Sequence, residues 1–350
     1  MLIAHCRAPS KEVLRPYKPT LTPSFPVYHD LADKLLSVSV HPDATVAHAL
    51  ATCSGYAYSE AATLATVMAR MGLDENNCVQ ISTTVDAMFI RSTVFVVQSQ
   101  DGRVVIVSYR GTEPANIVNW LTDIDINPEK VALPFPGSDG EFEVHGGFYR
   151  NIRATRFEVV ATLRDAMEGR SILPDGAPPD NPCEALYITG HSLGGALGAL
   201  LGMMIVSEPE YAALAARLRA VYTYGQPMVG SPELAAVCDR HPFLGRNVIR
   251  YVYGNDVVTR LPPRLTGDFA HFGREYRCDV QTTPRTWAPS ARPRTQIGNL
   301  LELAMAPLAF VSRQVPWLTK LHTGASMHDH LPHHYVSALT PPHVRSEFGD

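Results

Sequence analysis

Paired cysteines, basic stripes and membrane-length apolar runs are all missing from this sequence. Its six cysteines (Cys6, Cys53, Cys78, Cys183, Cys238 and Cys278) are scattered and never spaced C-x-x-C, which argues against a zinc site or a disulfide scaffold. None of them sits in a sharp strand-to-helix turn, so cysteine is a poor choice of nucleophile. Thirty basic residues face 34 acidic ones without a basic patch, which excludes nucleic acid as the expected partner. Met1-Leu2-Ile3-Ala4 is too short for a signal-peptide core, and Arg7, Pro9 and Lys11 follow at once. The expected location is therefore cytoplasmic or peripherally membrane-associated, with export by another route left open. Oligomeric state leaves no trace in the sequence.

What is present belongs to a globular α/β chain. Of 350 residues, 45% are apolar and 18% charged, and a chain of this size buries roughly three quarters of its unfolded surface without staples. Residues 1–45 are rich in proline and lack a sustained period, which predicts an arm lying over the body. Helical spacing runs from Val46 to Arg70. Thr93–Val97 and Val104–Tyr109 read as strands joined by an Asp101-Gly102 hairpin turn. A helix is expected around Asn119-Trp120-Leu121, a loop over Pro134–Gly140, and a long helix over Tyr149–Met167. Further strands are expected at Ala185–Thr189, Ala220–Tyr224 and Asn247–Tyr253. Strands alternating with helices imply a mostly parallel sheet covered on both faces. No internal repeat is present.

The pattern Gly190-His191-Ser192-Leu193-Gly194 lies between an expected strand and an expected helix. This is G-x-S-x-G, the elbow that presents a strained serine at the top of a sheet. A serine nucleophile needs a base, and the base needs a carboxylate to orient it. Asp256 follows the strand ending at Tyr253 by three residues and is the preferred acid; Asp268 and Asp279 are reserves. The tail offers four histidines, His328, His330, His333 and His334. His330 is preferred, because Asp329 precedes it and a helix-like run beginning at Tyr335 follows, although spacing alone barely separates the four. The same H-x-H-x-x-H-H pattern could coordinate a metal, which is the weaker reading. One oxyanion donor is the Leu193 N–H. For the second, Thr112 is favoured over His145-Gly146-Gly147, because Thr112 follows an apolar and therefore central strand.

Six blocks occur in order: Tyr109-Arg110-Gly111-Thr112, Asn119-Trp120-Leu121, Val144-His145-Gly146-Gly147-Phe148, Gly190–Gly195, Tyr224-Gly225-Gln226-Pro227 and Gly254-Asn255-Asp256. Together they resemble the class 3 lipases, a branch of the α/β-hydrolases, over about Leu50 to Leu339. The resemblance implies an α/β-hydrolase fold and hydrolysis of lipid esters by Ser192, His330 and Asp256. It further implies an oxyanion hole of Thr112 and Leu193, and no metal or cofactor. His330 is supported by the family's D-H-x-x-x-x-Y ending, here Asp329-His330 and Tyr335. The other readings are a phospholipase or acyltransferase on the same triad, or a lipid-binding scaffold without catalysis.

The 74 residues from Asp256 to His330 (330 − 256) exceed what compact members of that family need, and the excess falls at about 283–327. Thr283–Arg294, rich in Pro and Arg, reads as a linker. Ile297, Leu300, Leu301, Ala304, Leu308, Val311 and Val315 then recur at helical steps, with a kink due at Pro307. Glu302 and Arg313 bracket only ten uncharged positions, far short of the ~20 of a membrane span. The segment could cover the site as a lid, settle on lipid, or pack on the core. The usual lid position, Glu113–Val118, is short and only mildly apolar, so the later insertion is expected to share the covering. The domain plan is an arm over 1–45 and a hydrolase domain over 46–350.

Overall fold

The computed structural model describes residues 25–85, 90–112, 128–135, 140–280, 285–291, 295–297, 326–342 and 344. Among these described residues ten strands form two sheets: β1 (Asn77–Val85), β2 (Ile90–Gln98), β3 (Val104–Tyr109), β4 (Pro128–Ala132), β5 (Glu141–His145), β6 (Ala185–His191), β7 (Leu218–Tyr224), β8 (Val248–Tyr253), β9 (Arg274–Cys278) and β10 (Trp287–Pro289). The larger sheet has the order β1-β2-β3-β6-β7-β8-β9-β10, and β4 pairs with β5 in a separate ribbon. From β3 to β9 every neighbour is parallel. At the margins β1, β2 and β3 run as an antiparallel meander, and β10 returns antiparallel to β9. This is the mostly parallel sheet expected from the alternation of strands and helices, and it agrees with the α/β-hydrolase fold that the resemblance implies.

The central strands are apolar throughout because both faces are covered. Along β2 and β3 the side chains alternate between two cores. Val94, Val96, Val105, Val107 and Tyr109 enter one, and Phe95, Val97, Val104 and Ile106 enter the other. The first core is closed by α4 (Gly146–Met167) and α5 (Leu193–Ser207). The second is closed by α1 (Leu31–Ser37), α2 (Ala44–Tyr56), α3 (Ala61–Met71) and α7 (Pro332–Leu339), with α6 (Pro232–Arg240) lying on the first side. Each fully buried aliphatic side chain here stabilises the fold by about 1.5–3 kcal/mol relative to exposure.

Three expectations need amendment. Residues 1–24 lie outside the described residues, but the rest of the expected arm contains α1, whose Leu31 and Leu35 are fully buried; it is part of the body. The helical stretch over Val46–Arg70 is two helices, parted at Ala57–Glu60. Within the expected linker, Trp287–Pro289 adds strand β10, where a proline is tolerated because it sits at the sheet's edge. The helix expected at Asn119–Leu121, the lid position at 113–118 and nearly all of the amphipathic pattern at 297–315 lie outside the described residues. Its first member, Ile297, is fully buried and exchanges main-chain hydrogen bonds with Arg260 and Arg264. Among the described residues, no single helix is long and apolar enough to cross a membrane.

The body carries histidines kept neutral by burial. Burial lowers His41 and His48 to about 4 and His271 to about 3. His41 and His48 bond to the hydroxyls of Tyr222 and Tyr28, and His271 to the carbonyl of Thr259. In the unfolded chain these groups bind protons near pH 6.5, so their folded values are depressed. The stability they contribute is complete above pH 6.5 and is lost as pH falls through 6.5 towards 4 and 3. The urea midpoint is therefore expected to fall steadily between pH 6.5 and 4; a flat midpoint over that interval would contradict this origin.

Candidate active site

β3, β6 and β8 belong to the parallel part of the sheet, so their C-terminal ends share one edge, where α/β folds place their sites. Ser192 follows β6 directly, Asp256 comes three residues after β8, and Thr112 comes three residues after β3. Ser192 has φ 60° and ψ −130° and forms the N-cap of α5. A non-glycine residue in that region is strained and persists only where its surroundings impose it. Here the surroundings are glycines: a Cβ at Gly190 would lie 2.2 Å from the Gly194 carbonyl oxygen, and one at Gly194 would lie 2.1 Å from that of Tyr109. The elbow therefore packs backbone against backbone, and the serine points out of the turn.

His330 reaches both partners. Its Nε2 lies 2.8 Å from Ser192 Oγ and its Nδ1 lies 2.8 Å from Asp256 Oδ2. An ionised carboxylate only accepts, so Nδ1 carries the proton and Nε2 is left to accept from the serine hydroxyl. All three side chains are buried. Asp256 is held from three further directions. The Val258 amide donates to Oδ1 at 2.9 Å, the Tyr335 hydroxyl donates to Oδ2 at 2.5 Å, and the Asp256 main chain bridges Ser326. Burial, then the Asp256 charge, raises the Tyr335 phenol well above its ordinary value, so it stays a donor.

The loop bearing the base is tied to the loop bearing the acid. Asp329 Oδ2 accepts from the Asn255 amide at 2.8 Å, the Ser326 amide donates to the Asn255 carbonyl, and the Val257 amide donates to the Ser326 carbonyl. The other tail histidines are elsewhere. His334 bonds to His328 at 3.1 Å and stacks on Tyr253, and His333 lies against His334. Among the described residues no group of three or more His, Cys, Asp or Glu is arranged to hold a metal ion. Of the reserve acids, exposed Asp268 pairs with Arg264 at 3.7 Å, and Asp279 lies just past β9.

Leu193 opens α5, where first-turn amides have no acceptor within the helix. Thr112 is half-buried, and Gly111 before it runs against the nucleophile: a Cβ there would lie 3.2 Å from Ser192 Cβ. The rival glycine motif does a different job. His145 ends β5 in the separate ribbon, caps α4 by accepting from the Phe148 amide at 3.4 Å, and stacks on the Phe148 ring. Burial raises the thiol of every described cysteine, those of Cys53, Cys78 and Cys183 up to about 12 and that of Cys278 to about 11. Tyr335 serves as a motif marker in the sequence, and Tyr58 and His191, to which the motifs assign no role, also bond within the site. The position next to the serine was a signal for His191; nothing local marked Tyr58.

The family described as lipase (class 3) matches residues 106–266. A triacylglycerol lipase from Ricinus communis is 30% identical over 54% of this chain and 40% of its own length. A lipase from Rhizomucor miehei is 28% identical over 57% of this chain and 51% of its own. The chain thus spans about half the length of these relatives. In structure it superposes on lipase II from Rhizopus niveus with a TM-score of 0.56 at 20% identity, covering 82% of this chain and 92% of that one. That likeness shows the fold.

Proposed function

From a chain that resembles the class 3 lipases and matches them over residues 106–266, we propose a serine hydrolase that cleaves carboxylic esters of lipids. The observation that carries this reading is His330, which bridges Ser192 and Asp256 at 2.8 Å on each side. In this reading His330 Nε2 takes the Ser192 proton while Oγ attacks the ester carbonyl. The negative charge that develops on the carbonyl oxygen is met by the amides of Leu193 and Thr112; losing one such donor typically costs about 3–4 kcal/mol. Collapse expels the alcohol, which leaves with the proton from His330 and an acyl group on Ser192. Water then gives its proton to the same nitrogen, attacks the acyl carbon and releases the acid. Asp256 holds the imidazole in the required tautomer and offsets the charge it gains.

The substrate class rests on the family resemblance, and contact with a lipid surface in a cytoplasmic or peripheral membrane location belongs to the same proposal. The test is turnover of a p-nitrophenyl ester series, emulsified triacylglycerols and phospholipids, together with labelling by a fluorophosphonate. Expected are covalent labelling and faster release of fatty acid from glycerides than from phospholipids. Preference for phospholipids would make the chain a phospholipase on the same triad. Absence of both turnover and labelling would make it a non-catalytic lipid-binding scaffold.

A further inference from the structure

Beside the proposed triad lies a second hydrogen-bonded pair that the hydrolytic steps do not use. His191, the residue before the nucleophile, is buried with its Nε2 2.6 Å from the main-chain carbonyl oxygen of His330. A carbonyl can only accept, so Nε2 carries the proton and Nδ1 is left as an acceptor. The Tyr58 hydroxyl stands 2.9 Å from that Nδ1 and therefore donates to it. Burial lowers His191 well below the ordinary histidine range. The ring is thus a fixed neutral tautomer, with its two nitrogens committed to two different parts of the chain.

The same pair supports the loop that leads to Thr112. A Cβ at Gly111 would lie 2.2 Å from the Tyr58 hydroxyl, 2.5 Å from the His191 carbonyl oxygen and 3.2 Å from Ser192 Cβ. The Gly111 backbone therefore rests on Tyr58, His191 and Ser192 at once. On the other side the His191 ring lies 4.6 Å from the His330 ring. Tyr58 comes from the break between α2 and α3, His191 from the end of β6, and His330 from the segment before α7. Three separate pieces of chain meet at one imidazole.

We propose that Tyr58 and His191 are positioning residues, a hydrogen-bonded relay that sets the His330 backbone and the Gly111–Thr112 loop in register with Ser192. The proposal rests on the hydrolytic reading above. It assigns the relay no proton to move in the reaction. Tyr58 selects the tautomer, and the tautomer gives His191 a donor aimed at the His330 carbonyl. Without the Tyr58 hydroxyl the proton can settle on Nδ1, and two acceptors then face each other across 2.6 Å. His330 must hold a line between Ser192 and Asp256, so a small shift of its backbone is felt in the chemical step rather than in binding.

The test compares wild type with His191→Phe, His191→Gln and Tyr58→Phe on a p-nitrophenyl ester, counting active sites by complete titration with a fluorophosphonate. A merely structural role lowers the number of titratable sites and leaves kcat per site alone; a positioning role lowers kcat per site. His191→Phe keeps the ring's volume and loses both bonds, and its kcat per site is expected to fall by about 10- to 100-fold with KM little changed. His191→Gln places an amide N–H near the lost Nε2 and is expected to recover most of that loss. Tyr58→Phe is expected to fall by less than about tenfold, again in kcat. An unchanged kcat per site in His191→Phe, or glutamine doing no better than phenylalanine, overturns the relay. If His191→Phe yields no folded protein, an unchanged kcat per site in Tyr58→Phe overturns it instead. A wild-type chain that is neither active nor labelled overturns the hydrolytic reading itself, which separates the two failures.

Discussion

Replacing Ser192 with alanine is expected to lower the rate of ester hydrolysis by about 10⁴- to 10⁶-fold. The side chain's hydrogen bond is to His330, so alanine removes the nucleophile and little packing. The backbone strain at φ 60° is imposed by the surrounding turn and is the same for either residue. Stability should accordingly change by no more than about 1 kcal/mol, which a denaturant titration would register. In the proposed mechanism some catalysis over water would persist, because the donors assigned to Leu193 and Thr112 and the binding surface are untouched. A variant that kept even a tenth of the wild-type rate would remove Ser192 from the mechanism.

The second large effect is at His330. His330→Ala should be about as damaging as Ser192→Ala, and combining the two should add little, because members of one catalytic unit are not additive. His333→Ala and His334→Ala should each change the rate by less than about tenfold, which corresponds to less than about 1.4 kcal/mol in the barrier. Their rings contact one another, and His334 lies on Tyr253, so the loss there is one of packing. Activity measured for the three single variants on one ester decides the matter. A crippled His333→Ala or His334→Ala beside an active His330→Ala would overturn the assignment.

The elbow could be read from the sequence because its cause is local: glycines at 190 and 194 are required by contacts within a few residues and with the neighbouring strand. Asp256 could be read because the end of an apolar β-branched strand places whatever follows it. The choice among the tail histidines had no such local basis. What singles out His330 is the fastening of Ser326 and Asp329 to Asn255 and Val257, contacts that cross 69 to 74 residues. Strand β1 escaped for a different reason. It is an edge strand whose Asn, Gln, Ser and Thr side chains are exposed or half in solvent, while Val79 and Ile81 pack against one core and Cys78 against the other. Its register is set by β2 rather than by its own pattern. Helix α1 was hidden by the proline-rich composition around it, and β10 by the Pro and Arg residues of its flanks.

The base sits 138 residues beyond the nucleophile and 74 beyond the acid, and it is fastened by contacts made only in the finished fold. A chain emerging from the ribosome therefore makes its serine and its aspartate long before the histidine that would arm them, since domains are synthesised from the N-terminus at a finite pace. Until Ser326 to His330 docks beside Asn255, Ser192 is an ordinary alcohol. In the proposed mechanism hydrolytic competence waits for that docking, and its appearance during refolding would time the fastening of the tail to Asn255 rather than the formation of the elbow.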